Sequence, residues 1–98
     1  DPFTEFNERG DSVKLLLDNG WTVVDENNKN IRLKRPGDSS PSSGIYDKNT
    51  KVFRNFSTSA DLEARCFAPS SLFTIIECGN DVSLANIKLL KMGYGEKL

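Results

Sequence analysis

The stretch from Trp21 to Phe56 alternates short runs of strand-forming residues with clusters of Asn, Pro, Gly and Ser. That punctuation constrains the fold more than any other feature of the chain. Trp21–Asp25 and Ile31–Arg35 read as strands joined by the Asn-rich turn Glu26–Asn30, and Gly44–Asp47 and Lys51–Phe56 read as a second pair around Asp47-Lys48-Asn49-Thr50. Between the pairs, Pro36–Ser43 is a loop of Gly, Pro and Ser. Connections this short join antiparallel neighbours, because a parallel pair needs a crossover of a dozen residues or more. The expectation is therefore a small antiparallel sheet made of two hairpins.

Helix signals flank it. Asp11 or Ser12 caps a helix that runs to Asn19, with Val13, Leu16 and Leu17 on one face and Gly20 as the stop. Pro69 opens a helix that ends at Gly79, and Asp81 caps a last one with Leu84, Ala85, Leu89 and Met92 on its apolar face. Ser57–Ala68 has no clear period and reads as a loop. The opening Asp1-Pro2-Phe3-Thr4 reads as the scar of a cleaved expression tag and is set aside, leaving residues 5–98 as a single domain. The fold class expected is α+β: the sheet packed with one N-terminal and two C-terminal helices.

A chain of 98 residues with 37% apolar content has room for one core resting on Trp21 and the six Phe, and little room for a deep substrate cavity. No run approaches the roughly 20 apolar residues of a membrane span, and no signal-peptide pattern is present, so the expected location is the cytoplasm, away from any membrane. Cys66 and Cys78 are expected as buried reduced thiols, in preference to a disulfide. With no His in the chain, no paired carboxylates and no phosphate loop, no catalytic site is expected. The hydroxyls of Ser57, Thr58 and Ser59 read as local backbone partners.

The net charge of −1 is unevenly placed. Residues 1–28 carry seven acids and two bases, whereas residues 29–65 carry eight bases and four acids. Strand alternation sorts the bases of that middle segment: if Ile31 and Leu33 face the core, Arg32 and Lys34 face solvent. In Lys51–Phe56 either set, Lys51/Phe53/Asn55 or Val52/Arg54/Phe56, can be the inner one. A solvated sheet face bearing Arg, Lys and an aromatic suits a single strand of nucleic acid, holding the backbone and stacking a base. Arg32, Lys34, Lys51, Phe53 and Arg54 are the expected contacts, and an ordinary solubilising face is the plain alternative.

Two polar knuckles frame the second hairpin: Arg35-Pro36-Gly37-Asp38 and Asn55-Phe56-Ser57-Thr58, with sixteen residues between them. Together with Ser43-Gly44-Ile45, the Gly79-Asn80-Asp81 turn and the Ala85–Gly93 helix, they resemble the N-terminal zinc-ribbon domain of bacterial and phage DNA primases. The family carries a Cys-x2-His and a Cys-x2-Cys knuckle there, and the likeness spans about Ser12–Gly95. The chain looks most like the zinc-free form found in primase and helicase proteins of phage and mobile elements. At the ligand positions stand Arg35, Asp38, Asn55 and Thr58, a set that does not suit zinc, so neither metal nor cofactor is expected. In place of the metal, a cluster in which Arg35 donates to Asp38, Asn55 and Thr58 is expected.

The resemblance implies a non-catalytic accessory domain of a primase-type replication protein, a monomer in isolation, that binds single-stranded DNA weakly or takes part in template recognition. Its partners would be the single strand and neighbouring domains of the parent protein. The alternative is a module that docks on a neighbouring domain and touches no nucleic acid.

Overall fold

The computed structural model describes residues 1–57 and 62–95, and shows an α+β fold in which a five-stranded antiparallel meander carries helices on one face. The elements are α1 (Pro2–Arg9), α2 (Ser12–Asp18), β1 (Thr22–Glu26), β2 (Asn30–Lys34), β3 (Gly44–Asp47), β4 (Phe53–Asn55), β5 (Cys66–Phe67), α3 (Pro69–Cys78) and α4 (Val82–Lys91). Each strand pairs with the next in sequence. Among the described residues no helix is long and apolar enough to cross a membrane.

Side-chain chemistry sets the boundaries. Asp11 caps α2 by accepting from the Lys14 amide at 2.9 Å, and Gly20, at φ +91°, turns the chain so that the Trp21 amide donates to the Leu16 carbonyl. In the β1–β2 turn the Asn27 carboxamide accepts from the Lys29 and Asn30 amides, both at 2.8 Å. Asp47 does the same for Asn49 and Thr50 in the β3–β4 turn. Gly79 ends α3 in the left-handed region, and Asp81 caps α4 through the Leu84 amide.

The core lies between the sheet and the helices. Leu33, Tyr46, Phe53 and Phe67 meet Leu16, Trp21, Leu72, Phe73, Ala85 and Leu89, with Trp21 edge-on to Phe53 at 5.4 Å. Gly44 sits directly over the Phe53 ring, where a Cβ would lie 2.4 Å from Cζ.

Four sequence expectations change. Asp1–Thr4 belong to the fold: Asp1 caps α1 through the Thr4 amide, Pro2 and Phe6 are buried, and Asn7 accepts from the Ser70 amide. The Ser57–Ala68 segment ends in β5, which completes the sheet by pairing Phe53 with Phe67 and Arg54 with Cys66. Because Phe67 takes the inner position, Cys66 is turned outward and exposed; Cys78 is buried, its thiol pushed up by desolvation, and both are free. Leu15 replaces Leu17 on the buried face of α2, while Leu84 and Met92 on α4 are exposed.

Candidate nucleic-acid interface

The helices cover one face of the sheet and leave the other open, and register decides which side chains share the open face. Asp25 pairs with Arg32, Arg32 with Ile45, Ile45 with Arg54, and Arg54 with Cys66, so these five residues form one row across the sheet. Leu33, Gly44 and Asn55 form part of the opposite, inner set. β2 and β4 both run antiparallel to β3 and hence point the same way. Lys34, two residues beyond Arg32, and Phe56, two beyond Arg54, therefore stand at the same end of the open face, roughly 7 Å along the strands from the Arg row.

The expected contact residues separate on this frame. Arg32 and Lys34 face away from the core, as alternation predicts. Arg32 makes a forked ion pair with Asp25, which raises its own pKa and lowers that of Asp25, chiefly through the side-chain hydrogen bond. Arg54 is exposed on the same face. Neither Lys34 nor Arg54 forms a side-chain hydrogen bond or ion pair among the described residues.

Phe53 is the correction. It is fully buried under Trp21 and cannot present its ring to a ligand. The exposed aromatic of this stretch is Phe56, 45% exposed and one residue past β4, and the strand parity continued from Arg54 assigns it to the open side. Both alternation sets of this strand contain a Phe, so composition did not discriminate between them; Phe56 has the parity of Arg54, and that was the available signal. Lys51 is also elsewhere: it adopts φ +66° and donates to the Glu8 carbonyl near the end of α1, a favourable place for a cation.

The two knuckles close separately. Asp38 accepts from the Ser40 amide at 2.9 Å and from the Ser43 hydroxyl, which in turn accepts from the Arg35 amide at 2.9 Å. The Ser43 hydroxyl, then the Ser40 amide and hydroxyl, hold the Asp38 carboxyl down at about 2, with the Arg35 charge a lesser contributor. Arg35 Nε lies 3.8 Å from Asp38, an ion pair beyond hydrogen-bond range, and finds no hydrogen-bond acceptor among the described residues.

Asn55 is 1% exposed and turns to the segment before β5. Its amide donates to the carbonyls of Leu62 at 3.1 Å and Glu63 at 2.9 Å, and its oxygen accepts from the Ser57 hydroxyl at 2.8 Å. Among the described residues no hydrogen bond joins Arg35 or Asp38 to Asn55, and Thr58 lies outside the described residues. Among the described residues, Asp38 turns to Ser40 and Ser43, and Asn55 turns to Ser57, Leu62 and Glu63, so the part of the expected cluster that can be followed does not close around Arg35. Buried Ser43 links the two knuckles: its hydroxyl serves the first knuckle, while its carbonyl accepts from the Phe56 amide of the second at 3.0 Å.

No family model matches the chain, and no curated protein or solved structure matches it.

Proposed function

We propose that this chain is a non-catalytic accessory domain of a primase-type replication protein that binds single-stranded DNA weakly through the open face of its sheet. Exposed Phe56 at the end of the face that carries Lys34, with Arg54 and Arg32 one step behind, is the observation that carries the reading. An aromatic platform stacks a base without regard to sequence, and flanking cations hold the phosphates. Arg32 is the weaker contact because Asp25 already neutralises it. The spacing of the two knuckles, a zinc-ribbon pattern with other residues at its ligand positions, supports the replication setting; a cytoplasmic location goes with that proposal.

Titration of a labelled single-stranded oligonucleotide at low salt tests the proposal. With three cations on phosphates, the logarithm of the affinity should fall against the logarithm of salt with a slope of about −2. Phe56→Ala should cost roughly 1–3 kcal/mol of binding at unchanged stability. Absence of binding at low salt, or wild-type affinity in a Lys34→Glu, Arg54→Glu double variant, overturns it. Either result would favour the docking module, a reading that draws on the exposed aliphatic side chains of α4.

A further inference from the structure

We propose that the outer face of α4 is a self-association surface, on which a second copy of this chain packs antiparallel about a twofold axis at Ile87. Leu84, Ile87 and Leu90 are 37%, 51% and 42% exposed, while Ala85 and Leu89 hold the opposite side of the helix in the core. At roughly 100° and 1.5 Å per residue, Leu84 and Leu90 lie about 60° to either side of Ile87 and about 4.5 Å before and after it. The stripe is therefore symmetric about its central residue. A twofold axis beside Ile87, perpendicular to the helix, brings Leu84 and Leu90 of both copies to the four corners around an Ile87 pair.

Charge selects the antiparallel arrangement. The only charged residues from Val82 to Gly95 are Lys88 and Lys91, and the acid at this helix is its cap, exposed Asp81. By helical periodicity the Cα positions of Lys91 and Asp81 fall on the same flank of the stripe, on opposite sides of Ile87, with the Asp81 carboxylate also accepting from the Leu84 amide as the cap. The twofold rotation sets Lys91 of one copy within about 3 Å, measured along the axis, of Asp81 in the other. It also opposes the two helix dipoles. A parallel pair would place Lys91 beside Lys91. The patch is small, six aliphatic side chains in all, below the ~1,000 Å² of a stable interface, so the association is reversible and concentration-dependent.

This surface lies on the helical layer and the single-strand surface on the open sheet face, so each stands or falls without the other. The inference rests on the docking reading only in taking α4 as a contact surface. Sedimentation velocity between about 10 μM and about 1 mM spans the affinities expected of so small a contact. The mass should rise toward twice the monomer value. Ile87→Lys, at an exposed position, should keep the circular dichroism spectrum and abolish the rise, with Leu90→Lys as an independent second variant. Lys91→Glu should raise the dissociation constant severalfold. A chain that stays monomeric throughout, or a dimer that both lysine variants leave intact, overturns the inference, and the first result would assign the stripe to a different partner.

Discussion

Replacing Asn55 with Ala tests how this small sheet holds its edge. The side chain is buried and its amide donates to two carbonyls, Leu62 and Glu63, while its oxygen accepts from the Ser57 hydroxyl. Each intramolecular hydrogen bond contributes about 1 kcal/mol net, and a buried acceptor left without a donor costs a further 1–3 kcal/mol. The three bonds alone set the loss for Asn55→Ala at no less than about 3 kcal/mol, a large share of the ~5–15 kcal/mol typical of a domain. For a chain of this size each kcal/mol moves the midpoint by roughly 4–8 °C, so a fall of more than about 12 °C is expected. Thermal unfolding followed by circular dichroism measures it. Asn55→Asp keeps the volume but turns a carboxylate toward carbonyl oxygens, and should lose at least as much at neutral pH. A drop below about 4 °C for Asn55→Ala would refute the view that this clasp fastens β4 to the segment leading into β5.

Two other perturbations follow from the same geometry. The Asp38 carboxyl, held near 2 in the folded chain against an ordinary value of 3.8, stabilises the fold fully above about pH 4, and that contribution is lost as the pH falls through 2. Urea unfolding from pH 6 to pH 2 should show a stability decline at the acid end that is smaller in Asp38→Asn; equal declines would exclude Asp38 as a source. Gly44→Ala would put its Cβ 2.4 Å from the Phe53 ring and 2.7 Å from the Arg54 carbonyl, a backbone atom that cannot swing aside. It should cost at least about 1–3 kcal/mol in denaturant unfolding, and a neutral result would mean the β3–β4 pair is looser than the structure shows.

The strands, turns and two late helices were legible because each boundary is marked by a residue whose side chain or backbone freedom makes it: Asp11, Gly20, Asn27, Asp47, Pro69, Gly79 and Asp81. β5 was not, since a two-residue strand carries no period and exists only because Phe53 and Arg54 offer it a register. The depth of Phe53 followed from Trp21 packing edge-on against it, a contact between residues 21 and 53 that no local pattern encodes. α1 was hidden for a different reason: its first residues look like leftover sequence, and only burial against α3 and the last turn gives them a structural role. The knuckles were legible in spacing but not in partnership. Loop carbonyls took the Asn55 side chain and serine hydroxyls took Asp38.

The first helix and the turn after the last one meet. The Gly95 amide donates to Glu5 at 2.9 Å, Gly95 packs so closely on Pro2 that a Cβ there would lie 2.5 Å from its nitrogen, and Tyr94 stands edge-on to Phe6 at 5.0 Å. Residues 2 and 95 thus occupy one corner of the molecule, and tension applied through them does not stretch the sheet along its strands. It bears directly on the contacts between α1 and the Tyr94 turn. Residues 2 and 95 are fastened to each other and not to opposite edges of the sheet.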